Sequence, residues 1–389
     1  MKKMAGFIAV LCVAALALSD GFPQGGQLAV TVANELTIPR PSETIVLKMP
    51  DILKTVNVKD WKMLHVTDTA TGSELVSQGI DMNGDGITDL FLFQSDFKGG
   101  ETRTFLVKAG ESKYPTREQF KAYGRFVRER FDDFAWENDR IAHRMYGKAL
   151  ETWQAEPLTS SAVDVWTKHV RRLVINDWYM TDNYHADNGD GADFYSAGVS
   201  RGCGGNGIWE NGKFFVSRNF VDSKVIANGP IRVVFELTYA PWDVNGRKIS
   251  EVKRVTLDAG QNFDLFESFY KADAAGPAAH GIGIKNFGAA VLQSNRKEGW
   301  LRTWEPLQKG KAGNLGCAII VDPAAVIDVT EADGNCLVIA KAAAGQPASY
   351  YAGFGWDKSG DFSNMADWDR YVQQFAARLR SPLKISISQ

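Results

Sequence analysis

Residues 231–258, IRVVFELTYAPWDVNGRKISEVKRVTLD, carry the reading that decides the fold. Two alternating runs, IRVVFELTY and ISEVKRVTL, flank Val244-Asn245-Gly246. Asn-Gly between alternating runs is the strongest short-range signal for a β-hairpin. Working outward, KFFVSRNF and KVIANG precede the hairpin, and FDLFESFYKA, HGIGIKNFG, CAIIVD and CLVIAK follow it, all strand-like. Only ADWDRYVQQFAARL, within Met365 to Leu379, has helical spacing, with Trp368, Tyr371, Val372, Phe375 and Leu379 recurring on one face. Those aromatics read first as core.

The N-terminal part has the same character. LAVTVAN, ETIVLKM, WKMLHVTD, DLFLFQ and TRTFLVKA are short alternating runs separated by Gly, Asn and Asp turns. No fixed repeat period is present, which argues against a propeller. The expected fold is all-β: a large two-sheet β-sandwich, a galactose-mutarotase-like supersandwich spanning residues 113–389, with a small N-terminal β-sandwich unit over 20–112 and one C-terminal helix. Lys113 to Phe134 reads either as a helix, with Thr116 as cap and Phe120, Tyr123, Val127 and Phe131 as a stripe, or as an extended connector.

Composition bounds the function. Of 389 residues, 44% are hydrophobic and 23% charged, as in a soluble globular chain with a full core. A net charge of -2 gives no electrostatic case for nucleic acid or an anionic membrane surface. Aromatics at 11%, with 11 Trp, suit carbohydrate handling and a large β core equally. MKKMAGFIAVLCVAALALSDG has a basic start, an apolar run and small residues before Asp20. It reads as a cleaved secretory signal over residues 1–19, which places the mature chain in the periplasm or outside the cell. Three cysteines then remain, Cys203, Cys317 and Cys336, and the last two open apolar runs that could be bridged or could carry buried thiols.

Two motifs invite a site. Asp81, Asn83, Asp85 and Asp89, with Gly86 at the turn, match the start of a calcium loop, although Leu92 stands where the bidentate Glu belongs. A tight hairpin rich in turn formers explains the same residues. The second is residues 182–214, DNYHADNGDGADFYSAGVSRGCGGNGIWENGKF, which shows no sustained apolar period. Long loops of this kind are usually functional or disordered, and its aromatics argue against disorder. Here His185 sits beside Tyr184 and close to Asp187, Asp190 and Asp193. A carboxylate partner tunes a histidine for proton transfer; alternatively the acids shape the loop through turn hydrogen bonds.

FAWENDRIAHRMYG, residues 134–147, reads as strand, with Ile141, His143 and Met145 on one face and Asn138, Arg140, Arg144 and Tyr146 on the other. His143 falls with the apolar residues, so it reads as a core histidine. The opposite face offers two guanidinium groups and a phenol, suited to a carboxylate or to local ion pairs. There is no phosphate loop, nucleophile elbow, H-E-x-x-H or zinc-type spacing. Among the 5 His, His185 and His280 stand out as candidates.

His and Tyr with Arg, without a paired-carboxylate signal, suit β-elimination at a uronic acid. A base takes the proton alpha to the carboxylate, and a cation steadies the enolate-like charge. The expected catalytic residues are His185 and Tyr184 for proton transfer and Arg201, with Arg144, as carboxylate binder, while Arg140, Tyr146, Trp209, His280 and Trp356 line the site for an acidic oligosaccharide or polysaccharide. No cofactor is required, calcium at Asp81, Asn83, Asp85 and Asp89 being a structural option. The alternatives are glycoside hydrolysis, which needs two facing carboxylates drawn from Glu137, Asp193, Glu210 or Glu236, and a non-catalytic glycan-binding sandwich.

RFVRERFDDFAWENDRIAHRMYG, YHADNGDGADFYSAGVSRGCGGNGIW, ANGPIRVVFELTY and YYAGFGWDKSGDF, followed by DWDRYVQQFAARLRSPLKISI, together resemble a family of secreted Bacteroidetes proteins from polysaccharide-utilisation loci, domain of unknown function 4861. The resemblance covers nearly the whole mature chain. It implies action on uronate-containing oligosaccharides, as lyase-like dehydratases that create a terminal unsaturated uronic acid. Where the family's pattern has a larger apolar residue this chain has His143, which weakens that histidine further as a catalyst.

Overall fold

A computed structural model describes residues 26–388 apart from positions 156, 274, 275, 289 and 344. The signal-like segment 1–19 lies outside the described residues. The 231–258 hairpin forms as expected. Strands Arg232–Val244 and Arg247–Asp258 pair in antiparallel register, and the second alternates strictly between buried and half-exposed residues over Ile249–Asp258. Asn245 (φ 52°) and Gly246 (φ 82°) make the left-handed turn. A register shift between Tyr239 and Trp242 takes up Pro241, which has no N–H to give a ladder.

That hairpin is the spine of an eight-stranded antiparallel sheet. Its order is Phe220–Ala227, Arg232–Val244, Arg247–Asp258, Phe263–Ala272, Ala348–Trp356, Asn314–Ile320, Trp300–Pro306, Val291–Asn295. Facing it are two smaller sheets. One runs Lys213–Phe215, Cys203–Glu210, Ala279–Lys285, Asn335–Lys341, Val326–Ala332. The other runs Gly191–Ala192, Asp164–Lys168, Ala142–Met145, Asp133–Asn138, Ala122–Val127. Phe235, Val255, Phe266, Ile282, Ile319, Val338 and Phe354 from the large sheet and its partner share one core with Phe134, Trp136, Met145 and Val165 of the third sheet. Phe134 stacks on Phe235 with ring centroids 4.2 Å apart. The architecture is a β-sandwich, all-β apart from the C-terminal helix and short helical turns.

The N-terminal strands also form as read, as a five-stranded and a three-stranded sheet around Val30, Ile45, Phe93 and Phe105. The C-terminal strand Lys384–Ser388 returns to pair with Gln27–Ala33, so the two ends of the chain close one sheet. The helix Met365–Arg380 starts on Asn364, whose side chain accepts from Ala366 N and Asp367 N. It buries Trp368, Val372 and Phe375 against Phe263 and Trp300. Gly316 makes that docking fit, because a Cβ there would lie 2.3 Å from Trp368 Cδ1.

Three expectations change. Residues 117–127 are not a helix: Thr116 N donates to Gln119 Oε1 across one tight turn, Arg117–Gln119, and the strand Ala122–Val127 follows. There Asn228 bonds both backbone groups of Gly124, and of the apolar stripe Val127 is buried while Phe120 and Phe131 stay exposed. About a third of the 182–214 segment is likewise strand. Cys203–Glu210 lies one strand in from the edge of its sheet, and its glycines hid the alternation because the volume above them is filled by other segments, such as Phe214 against Gly207. Finally, Cys317 and Cys336 sit in different sheets, and Cys203, Cys317 and Cys336 are all buried free thiols. Burial, then the neighbouring Cys203, pushes the Cys317 thiol well up.

A candidate proton-transfer site on the third sheet

Asp133–Asn138, Ala142–Met145 and Asp164–Lys168 put alternate residues on opposite faces. Phe134, Trp136, Met145 and Val165 enter the main core. On the other face Ala135, Ala142 and Trp166 form a second apolar cluster, closed over by Trp178 and Tyr179 of the helix Ile175–Thr181 and by Tyr184. Arg144, Asp133 and Asp164 share this covered face, and Arg144 is 5% exposed.

Arg144 is the hub. Its Nε donates to Asp164 Oδ2 (2.8 Å), its Nη2 to Asp193 Oδ2 (3.0 Å), and its Nη1 to Asp133 Oδ2 (3.5 Å) and Tyr184 Oη (3.4 Å). Tyr146 Oη donates to Asp164 Oδ2 (2.9 Å), Tyr179 Oη to Asp133 Oδ2 (3.1 Å), and Arg130 Nε to Tyr184 Oη (2.6 Å). Trp166 stacks under Tyr184 at 4.8 Å. His185 is the member that reaches solvent: its side chain is 65% exposed, and its Nδ1 lies 3.5 Å from Asp193 Oδ2, the oxygen that Arg144 holds.

One guanidinium cannot offset three carboxyl groups in a dry layer, and two of the acids shift upward. Burial, opposed by Arg144 and Arg130, pushes Asp133 up to about 7. Burial and then Asp164 push Asp193 well above the usual carboxylate range. Arg144 stays charged, raised by its acid neighbours against its burial. His185 moves down, through partial burial first and then the Arg144 charge, so its imidazole is neutral near neutral pH. Because Asp133 binds its proton more tightly folded than unfolded, the folded state holds the extra proton between roughly pH 4, the unfolded carboxylate value, and about 7. Stability from this group is therefore greatest at low pH and falls as pH rises through that window. Melting curves of wild type and Asp133→Asn from about pH 4 to 8 should show a shallower fall for the variant, and parallel profiles would contradict the assignment.

The loop's other acids shape it. Asp187 Oδ1 accepts from Gly189 N (2.8 Å) and Gly191 N (3.1 Å), its Oδ2 meets His169 Nε2 (2.8 Å), and Asp190 pairs with Arg172. Gly191 (φ 109°) leaves no room for a Cβ, which would lie 2.1 Å from Thr167 O. Asp182 (φ 48°) ends the preceding helix in the left-handed region.

Among the residues singled out from sequence, Tyr184, His185, Asp193, Arg144 and Tyr146 come together. The others do not join them. Arg201 lies in a different layer over Gly283, donating to Ser161 Oγ (2.8 Å) and Val199 O (3.2 Å), with no ion pair among the described residues and burial lowering it to about 10. Arg140 pairs with Asp361 (3.0 Å). His280 is buried in the main sandwich and lowered to about 4 by burial. Trp209 is half-buried beside Phe214, and Trp356 is packed at 1% exposure with its Nε1 donating to Ala312 O (2.7 Å), so it offers no open face for a sugar. His143 is a core residue as its parity predicts, stacked on Trp136 with Nδ1 against Asp164 O (2.9 Å) and Nε2 3.1 Å from Asp264 Oδ2. Asp133, Asp164, Arg130 and Tyr179 were not anticipated. No local signal points to Asp133 or Asp164, because both reach Arg144 only through the pairing of its strand with two others, in which Arg144 lies opposite Ala135 and Asp164.

The calcium-like hairpin uses its acceptors on itself. Asp81 accepts from Gly84 N and Gly86 N, Asn83 from Asp85 N, Asp85 from Ile87 N and Asp89 from Met82 N. No grouping of three or more His, Cys, Asp or Glu suited to a metal occurs among the described residues. No helix among them is long and apolar enough to cross a membrane.

Residues 32–385 match the family described as Domain of unknown function (DUF4861). The chain belongs to that family. A DUF4861-wide likeness extends to an uncharacterized protein P7 of Formosa agariphila, 33% identical over 373 residues, covering 92% of this chain and 93% of the relative. Among solved structures, the fold is similar to an α-mannosidase from Enterococcus faecalis (TM-score 0.54, 11% identity, 93% of this chain and 46% of that one). It is also similar to a glycosyl hydrolase family 38 protein from Enterococcus faecalis (TM-score 0.50, 10% identity, 95% of this chain and 48% of that one). The DUF4861 chain thus spans about half the length of those two structures.

Proposed function

We propose that this protein is a carbohydrate-active enzyme that performs β-elimination at a uronate, with His185 as the proton acceptor. The observation that carries the reading is the chain His185–Asp193–Arg144. It joins an exposed imidazole, neutral at working pH, to a buried carboxyl group and a buried cation. The Asp193 carboxyl group packs beside Nδ1, and the solvent-facing imidazole takes the proton alpha to the sugar carboxylate. The bond from the β-carbon to its oxygen breaks as the double bond forms, and the departing oxygen takes a proton back from the imidazolium or from water. Tyr184, whose ring centroid lies 4.5 Å from that of His185, and Arg144 beneath it supply the positive field that steadies the developing negative charge. The positive member of the site is therefore Arg144 and not Arg201. The α-mannosidase and family 38 protein of similar fold support a glycan as the substrate class.

Elimination is favoured over hydrolysis by the state of the acids. Hydrolysis needs two carboxyl groups flanking the scissile bond, whereas Asp133, Asp164 and Asp193 all converge on Arg144 with side chains no more than 3% exposed. Incubation with uronate-containing oligosaccharides followed by mass spectrometry tests the reading. An unsaturated product is expected, either by loss of water without cleavage or by cleavage without uptake of water. Cleavage that adds water, or recovery of every substrate unchanged, would sink it. The secretory signal read at residues 1–19 would bring the enzyme to such glycans outside the cytoplasm.

A further inference from the structure

A cleft of about 680 Å³ opens beside the helix Ile175–Thr181, on the segment whose charge density the elimination chemistry does not use. Its walls include four cations, Arg117, Lys121, Arg171 and Arg172, and two aromatic rings, Phe120 and Tyr123. The cations are not equivalent. Arg171 is spent on Asp361 (2.7 and 2.8 Å), and Arg172 on Asp177 (2.6 Å) and Asp190. Arg117 and Lys121 are exposed and make no ion pair among the described residues, even with the acids that share the walls. Glu118 is engaged within its own turn, by its backbone first and then Thr116, and Asp139 accepts from Gly260 N (2.6 Å). Phe120, 37% exposed, lies between the two unpaired cations in sequence.

Two cations that make no close ion pair, Arg117 sensing only the charge of neighbouring Glu118, beside an exposed ring in a cleft of this size suit a small anionic ligand with flat apolar faces. The chain's net charge of -2 offers no broad field for a long polyanion such as nucleic acid. The cleft also shares a wall with the site above: Asn176 and Asp177 line it, while Tyr179 of the same helix donates to Asp133.

We propose that this cleft is a binding subsite for an acidic oligosaccharide, with Arg117 and Lys121 taking its carboxylates and Phe120 and Tyr123 lying against its rings. The proposal rests on the uronate reading of the site, and the two can fail separately. Binding is measured by calorimetry in the His185→Ala protein, with tetramers of galacturonate, glucuronate and mannuronate and with their methyl esters as uncharged controls. At least one tetramer should bind. Its Kd should rise about tenfold or more in Arg117→Ala/Lys121→Ala, the loss of roughly one charge-assisted contact. Arg117→Lys/Lys121→Arg should stay close to the parent, and the ester should bind about tenfold more weakly. An unchanged Kd in the double alanine variant, equal affinity for the ester, or no binding to any tetramer would overturn the subsite. Unsaturated product from the wild type with binding indifferent to Arg117 and Lys121 would leave elimination standing and remove the cleft. Binding that depends on both residues with no product would do the reverse.

Discussion

Replacing Arg144 by methionine is expected to destabilise the protein by roughly 3–5 kcal/mol, the range for removing one partner of a buried charge cluster. The guanidinium touches Asp133, Asp164 and Asp193 at once, and its side chain is 6% exposed. Methionine keeps the bulk and leaves three carboxyl groups without their cation. Protonation of Asp133 and Asp193 softens the loss but also strips the layer of its order, because the same oxygens accept from Tyr179 and hold His185. Arg144→Lys should fall between, since an ammonium cannot direct donors along three separate lines. Arg140→Met is the control. That arginine is half-buried, its ion pair with Asp361 is partly solvated, and such pairs are worth about 0–1 kcal/mol. Denaturant titration at pH 7 measures all three, and an Arg144→Met protein within about 0.5 kcal/mol of wild type would show that the cluster contributes little to stability, since that is the usual scatter of surface substitutions.

His185→Ala should lower kcat/KM by about 10²–10⁴, the usual contribution of a positioned general acid or base. Its stability should stay within about 0.5 kcal/mol of wild type, because the ring is largely in solvent and makes one 3.5 Å contact. The pairing of a large kinetic effect with a small thermodynamic one separates catalysis from support. A base whose pKa is lowered by partial burial and by Arg144 is already deprotonated below the ordinary histidine range. The acid limb of the kcat/KM profile should therefore lie below about pH 6.5. Asp193→Asn should lose activity too, because an amide nitrogen turned toward Arg144 breaks the link that fixes the group beside Nδ1. Retention of activity within about threefold in His185→Ala would remove the histidine from the reaction, since that is under 1 kcal/mol of barrier.

Much of the architecture was legible in short stretches. The Asn245-Gly246 turn between alternating arms specifies the hairpin that organises the large sheet, because turn type and alternation are local properties of a few residues. The helix beginning at Met365 follows from its aromatic spacing and its Asn364 cap. Within Ala142–Met145 the alternation correctly sent His143 inward and Arg144 to the other face, although the run read as one strand over 134–147 is two paired strands with a turn between them, and Tyr146 joins the main core. Glycine limited this legibility. In Cys203–Glu210 the pattern vanished because the strand lacks side chains where Phe214 fills the space.

What Arg144 meets on its face is another matter. Asp164 lies 20 residues away along the chain, Tyr184 40 and Asp193 49, and only the register of three strands and the fold of the loop bring them to one guanidinium. The same holds for Arg201, which composition alone could not separate from Arg144 and which the sandwich carries into another layer. It holds for Cys317 and Cys336, whose apolar runs look like neighbours and lie in different sheets. Alternation and turn chemistry are set by residues within reach of one another along the chain, so they can be read there. Convergence of charge depends on packing between distant segments and on which groups lose water, and those are properties of the tertiary structure alone.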